Sequence, residues 1–460
     1  MKRIIILSLF LFLFSKGFSQ GHQLNALILD LPDGKVYLSN YSKTGFSRLD
    51  SSESINGAFY FHIPDFAPPG MYRLDFEASV APGKDNRSRF IEFIWADETF
   101  EIFGDYEDLA GSVSFENSIE NNILGEFRSY ENLYEYKMGA LYNLLDTYPE
   151  EDDFFRESKR YFLQLQQERE TFLLDLARSD TALFVSKLIR SYRSPLFSPD
   201  LRGRQRIDFL KQHYFDAAAI SVPELLYAPV YNRKIIEYLK LYRDPELSFG
   251  DQEEEFIHAV DMIMANVSGD PDLRNFAVEY LLEGFESFGM EKIQTYIVDT
   301  YADETCTTDV VELAFQRVKG YRKMEEGQIA ADILIRGLDN KMVRLSETNA
   351  DYTLVLFWAT YCEHCTSLMP KLLEWYSTER PANLEIFAVS IDTSEVEWRN
   401  FMSSVDPPWV STIEPMGWKG KSAEDYNVYA TPTMFLLDRQ RKILAKPYTF
   451  RELKREVSSL

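Results

Sequence analysis

Two residues in this chain have a type and spacing that name a chemistry: Cys362 and Cys365. They follow a buried-strand run, Leu354-Val355-Leu356-Phe357-Trp358, and open a helical stretch that reaches Pro370. At that spacing on a helix the two sulfurs sit one turn apart, close enough to form a disulfide and to open it again. Cys362 falls at the helix N-terminus, where unpaired N–H groups and the macrodipole stabilise a thiolate. The thiolate is the nucleophile of thiol–disulfide exchange, so Cys362 is expected to attack and Cys365 to resolve. His364 can donate to that thiolate or stabilise its charge, whereas the charge of Glu363 disfavours it. These two are the expected redox-tuning residues.

Other uses of a cysteine pair fit less well. A zinc site needs four ligands, and in sulfur only Cys306 is left to add. Attachment of a c-type haem wants His directly after the second cysteine, where this chain has Thr366. A static structural disulfide remains the plain alternative. Cys306 itself, in Asp303-Glu304-Thr305-Cys306-Thr307, reads as a small buried hydrophobe.

The segment from Phe357-Trp358-Ala359 through Cys362-Glu363-His364-Cys365 to Pro370, with Thr431-Pro432-Thr433 downstream, resembles the thioredoxin superfamily. Within it the likeness is to the extracytoplasmic TlpA/ResA-like thiol–disulfide oxidoreductases. The resemblance implies a cis proline at Pro432 facing the cysteines, with the Thr431 backbone free to pair with an extended substrate chain. It also implies an apolar platform of Trp358 and Tyr361 beside the sulfurs, no metal, and no cofactor beyond the redox-active disulfide Cys362–Cys365. The implied partners are protein thiol or disulfide substrates and a membrane-embedded electron donor. Three positions depart from the pattern. ResA-like proteins carry a Glu where this chain has Leu368, ordinary thioredoxins a buried Asp where it has Leu356, and the lead-in proline is replaced by Ala331. His364 resembles oxidases and isomerases, while Glu363 resembles cytochrome-maturation reductases, so the motif is a hybrid.

The elements that must position this site belong to a long chain. Its 460 residues suit two to four domains, and 45% hydrophobic content with 15% aromatics supplies their cores. A formal charge of −24 argues against nucleic acid or an anionic membrane surface as partner. Residues 1–20 read as a secretory signal, with Lys2-Arg3 ahead of the apolar core Ile4 to Phe14. That core is too short to span a bilayer comfortably, and no later run is apolar enough to cross one. Export to the periplasm agrees with the sparse cysteine usage.

From residue 21 to 115 short alternating runs, such as Ala58-Phe59-Tyr60-Phe61-His62-Ile63, are separated by turn signals such as Asn56-Gly57, Pro68-Pro69-Gly70 and Ala81-Pro82-Gly83. They predict an all-β sandwich, resembling the β-rich N-terminal domain often fused to thioredoxin-like proteins of Bacteroidetes. From 116 to 323 the period turns helical, and an all-α domain is expected. The acidic clusters Glu150 to Asp153 and Glu253-Glu254-Glu255 stand at expected helix starts, where they complement the dipole. Residues 324–460 complete a multidomain architecture with an α/β thioredoxin fold. A hairpin turns there at Leu338-Asp339-Asn340-Lys341. The function expected is a periplasmic thiol–disulfide oxidoreductase that reduces or exchanges disulfides in exported proteins. The alternative is an envelope binding or scaffold protein with a largely vestigial thioredoxin module. The intact cysteine pair and Pro432 favour the enzyme.

Overall fold

A computed structural model describes residues 21–43, 45–77, 89–178, 180–218, 220–267, 269–302 and 308–460. The expected secretory signal over 1–20, the Ala81-Pro82-Gly83 turn and Cys306 lie outside the described residues. The chain divides into two compact units, Met1–Ile236 and Glu237–Leu460.

The first unit begins with β1 (Gly21–Leu29), β2 (Gly34–Ser42), β3 (Gly45–Ser54), β4 (Ala58–Pro64), β5 (Gly70–Phe76), β6 (Phe90–Trp95) and β7 (Glu101–Asp105). A single turn α1 (Leu109–Ser112) and the short β8 (Ser114–Glu116) complete it. Two four-stranded sheets, ordered β4-β1-β7-β8 and β3-β2-β5-β6, face each other across one core. Inward residues such as Phe59, Phe61 and Ile63 on β4 alternate with outward ones, as a half-buried strand requires. This is the expected sandwich. Then come α2 (Ile119–Thr147), α3 (Asp153–Leu176), α4 (Phe184–Ser191), α5 (Gly203–His213) and α6 (Val230–Lys240), within which the division falls. The α2 residue Asn121 exchanges hydrogen bonds with both the N–H and the C=O of Ile94, at 2.7 Å each. That pair joins the helices to the sandwich. A buried Arg169–Glu131 pair, bidentate at 2.8 Å, joins α3 to α2.

The second unit opens on α7 (Phe249–Val267), α8 (Pro271–Ser287), α9 (Glu291–Tyr301) and α10 (Asp309–Lys323). The helical stretch is therefore shared between the two units. Capping explains Asp152, whose carboxylate accepts the Phe154 N–H at the start of α3. It explains Glu253 differently from expectation. This side chain is 2% exposed and accepts the Lys292 N–H at 2.9 Å, so it caps α9 and not its own helix. Burial pushes its carboxyl up to about 7, because the charged form gives up hydration.

The hairpin β9 (Leu334–Arg336) and β10 (Met342–Arg344) turns within the expected Leu338–Lys341 segment, through Asn340 at φ 64°. The remaining elements are β11 (Tyr352–Trp358), α11 (Glu363–Thr378), β12 (Leu384–Ser390), α12 (Glu395–Val405), β13 (Val410–Ile413), α13 (Lys421–Asp425), β14 (Thr433–Asp438), β15 (Ile443–Ala445) and α14 (Phe450–Ser458). Their sheet runs β13-β12-β11-β14-β15, parallel across the first three strands and antiparallel across the rest. Leu354, Leu356 and Trp358 face a core shared with α11, α12 and α14. Val355, Phe357 and Ala359 face a second core with Tyr426, Phe435 and the lead-in segment. Both faces of β11 are thus sealed, which is why Leu354 to Trp358 form an unbroken apolar run. Each fully buried side chain of this kind contributes about 1.5–3 kcal/mol.

Candidate active site

The site forms where β11 runs out. The last rung of its parallel pairing is the Ile391 N–H donating to the Trp358 carbonyl at 2.9 Å. A turn then reverses the chain, closed by the Cys362 N–H donating to the Ala359 carbonyl at 3.3 Å. Cys362 is the N-cap of α11, and its sulfur accepts the Cys365 N–H at 3.3 Å. The same sulfur lies 3.3 Å from the Thr431 carbonyl, to which its S–H donates. The Thr431–Pro432 peptide bond is cis.

The two thiols are free and differ sharply in setting. Cys362 is half-buried, whereas Cys365 is 1% exposed within the core that holds Leu368 and Met369. Burial pushes the Cys365 thiol up to about 12, and the neighbouring Cys362 sulfur adds to the rise. An accessible sulfur at a helix N-terminus, backed by a protonated buried one a turn further on, can attack a disulfide and then be released from it. Leu356 and Leu368, where related folds carry acids, are both buried among apolar side chains.

The other expected site residues fall in different places. Tyr361 is 62% exposed and lies near Trp418, which is 40% exposed. Trp358 does not join them: it is 1% exposed and packs on Phe401 in the core, so it backs the site without offering a face to substrate. Its outward reach is lost because strand alternation turns it toward α11. Glu363 and His364 are both exposed, and neither hydrogen-bonds to a sulfur, whose partners are backbone groups. Thr431 is half-buried, and Thr433 closes the proline loop through its hydroxyl to the Ala430 carbonyl at 2.8 Å.

Residues the sequence did not single out also shape the site. Asp392, just past β12, is 1% exposed and binds Thr360 in the cysteine turn. On the other side α10 meets the loop ahead of Thr431: the Asn427 side-chain N–H donates to the Arg317 carbonyl at 3.4 Å, and the Arg317 guanidinium lies over the Tyr429 ring. These contacts join positions 32 and 110 residues apart, beyond any local pattern. Among the described residues, no group of three or more His, Cys, Asp and Glu is placed to hold a metal ion, and no helix is long and apolar enough to cross a membrane.

Comparison with known proteins converges on this segment. A family model described as thioredoxin-like matches residues 349–443. The thiol-disulfide oxidoreductase ResA of a Bacillus cereus strain is 30% identical over 125 residues, 27% of this chain and 70% of that protein. The thioredoxin-like protein YneN of Bacillus subtilis is 32% identical over 120 residues, 25% of this chain and 68% of that protein. Among solved structures, the thioredoxin domain of a thiol-disulfide oxidoreductase from Bacteroides vulgatus is 26% identical. It covers 29% of this chain and 96% of its own, with a TM-score of 0.28. With a five-stranded sheet, a half-buried and a buried thiol at the start of one helix, and relatives of this kind, the chain belongs to the thioredoxin-like family of thiol-disulfide oxidoreductases.

Proposed function

We propose that this enzyme reduces or exchanges disulfides in exported proteins outside the cytoplasm, with Cys362 as the attacking and Cys365 as the resolving thiol. The observation that carries the reading is the asymmetry of the pair, one sulfur accessible at a helix N-terminus and the other sealed in the core. The Cys362 thiolate attacks one sulfur of a substrate disulfide. That S–S bond breaks, a mixed disulfide forms, and the departing substrate sulfur takes up a proton. Cys365 then gives up its proton and attacks the Cys362 sulfur. The mixed disulfide breaks, the Cys362–Cys365 bond forms, and the substrate leaves as a dithiol carrying two electrons and two protons. Return to the dithiol requires a second dithiol, which for an exported protein is a membrane-embedded donor.

Thr431 and Pro432 supply the edge against which an extended substrate lies, and Tyr361 with Trp418 supplies apolar surface beside it. The basic-then-apolar pattern of residues 1–20 and the low cysteine count support the location. Reduction of insulin disulfides by the wild type and two variants tests the chemistry. Cys362→Ala should abolish turnover, and Cys365→Ala should accumulate mixed disulfides with substrate. Full turnover by Cys365→Ala would remove the resolving role. Labelling of Cys362 in intact cells by a membrane-impermeant thiol reagent tests the location, and labelling only after lysis would sink it.

A further inference from the structure

The parallel ladder between β11 and β12 ends at the Ile391 N–H and the Trp358 carbonyl. One step further, the Thr360 N–H has left the sheet. The Asp392 side chain supplies the acceptor instead, with its two carboxylate oxygens 3.0 and 3.2 Å from that nitrogen. The Thr360 hydroxyl donates to the same carboxylate at 2.6 Å, and the Ser390 hydroxyl at 2.5 Å. The Asp392 N–H donates in turn to the Ser390 hydroxyl oxygen at 3.1 Å. Asp392 is 1% exposed, and among the described residues no lysine, arginine or histidine pairs with it. Every donor it has is neutral. Satisfying a turn N–H costs only an amide or hydroxyl acceptor, so a buried unpaired carboxylate is a costly choice for a purely structural tie.

Its place explains what the charge can do. Thr360 and Cys362 bracket the turn closed by Cys362 N–H and Ala359 C=O, with two peptide units between them. At 3.8 Å per residue their Cα atoms lie within about 8 Å, no more than about one Debye length at ordinary salt, and the Asp392 end of that path is buried. Tyr361, between them, feels both the Asp392 carboxylate and the Cys362 sulfur. The two tuning residues between the cysteines, by contrast, are exposed.

We propose that Asp392 is a positioning residue that clamps the Thr360–Cys362 turn and, by its buried negative charge, biases the Cys362–Cys365 couple toward the reducing direction. The inference rests on the assignment of that couple as the reacting pair. A negative charge beside the turn makes the Cys362 thiolate less stable. A less stable dithiol form gives up its electrons more readily, so the enzyme acts as a reductant of substrate disulfides. The carboxylate takes no part in bond making, and the electrons and protons move as in the exchange already written.

The discriminating variant is Asp392→Asn, which keeps a carbonyl acceptor for the Thr360 N–H and removes the charge. Equilibration of the purified protein with glutathione should show the variant shifted about tenfold toward the dithiol, a rise of ~30 mV for this two-electron couple. Thiolate absorbance against pH should show Cys362 ionising at lower pH than in the wild type. Asp392→Ala should show the same equilibrium shift and in addition slow exchange, because it also frees the turn. If Asp392→Asn matches the wild type in both equilibrium and thiolate titration, the carboxylate is a structural tie alone and the proposal falls. Should that variant fail to fold, the carboxyl carbon signal of Asp392 in the wild type, followed by NMR across the Cys362 titration, must bend where Cys362 ionises. A flat signal overturns the proposal. Cys362→Ala run alongside separates the two levels, since activity surviving in it would discard the reacting pair itself.

Discussion

Gly320 on α10 and Asn427 ahead of the proline loop meet so closely that a Cβ on Gly320 would collide with the Asn427 side-chain amide. Asn427 holds φ 53°, a left-handed conformation that Asn tolerates better than most residues. The helix therefore lies backbone-close against the loop that leads through Tyr429 to Thr431. A segment that reads as a separate helical module is, at this point, packed against the loop that carries Thr431.

Gly320→Ala should destabilise the protein by about 1–3 kcal/mol, the usual cost of forcing extra volume into a packed contact. Gly320→Ala with Asn427→Gly should recover most of that loss, because Gly removes the clashing side chain and accepts the positive φ. Chemical denaturation midpoints of the three proteins check this. Equal midpoints for the single and double variants would mean that the two residues are not in contact.

Burial of Cys365 ties the stability of the reduced protein to pH. Its folded value, about 12, lies above the ordinary thiol value near 9, so the fold prefers the protonated thiol. The stability this contributes is full below pH 9 and is lost as pH rises toward 12. The disulfide form has no such group. Melting temperatures of the two forms should therefore draw apart across that window, with the reduced form falling faster.

Glu253 acts in the same sense at lower pH. Its folded value of about 7 lies above the ordinary 4.5, so its contribution is complete below pH 4.5 and lost as pH rises through 7. The loss is on the order of 3 kcal/mol. Glu253→Gln is neutral throughout and still offers an oxygen to the Lys292 N–H. It should flatten the pH dependence of unfolding between those values and raise stability above pH 7. An unchanged slope would place the titration elsewhere.

Tyr361, next to Cys362 in the chain, and Trp418 near it are exposed, so Tyr361→Ala and Trp418→Ala each remove apolar surface. Each should raise KM for a protein disulfide about fivefold, the loss of ~1 kcal/mol of apolar contact. Neither should change kcat or the rate with oxidised glutathione, which is too small to span both rings. A fall in kcat with the small disulfide would mean that these rings act on the sulfurs.

The dithiol was legible in the sequence because its signal is local. Strand, turn and helix start succeed one another within a dozen residues, so Cys362, Cys365 and the helix that separates their environments follow from periodicity and spacing. The sandwich was legible for the same reason, since alternation and turn residues recur along β1 to β7. The hairpin turn at Asn340 could be read from one residue type with one conformational habit.

What the sequence could not give was the direction and depth of side chains brought in from elsewhere. Trp358 looked like a platform because it adjoins the cysteines, but the strand register turns it into the core. His364 looked like the partner of a thiolate, yet the Cys362 sulfur is met by the Cys365 N–H and the Thr431 carbonyl, from a loop 69 residues away. Glu253 resembled a cap for its own helix, and burial made it the cap of another. The sequence by itself determined that this chain sets two cysteines one turn apart at a helix N-terminus, because backbone geometry within one turn is set locally. Only the tertiary structure decided that Asp392 ties the turn ahead of the pair, that the Thr431 carbonyl meets the Cys362 sulfur, and that α10 packs against the loop before Thr431. Those contacts depend on how sheet order and helix packing bring distant residues together, and no pattern along the chain encodes such a distance.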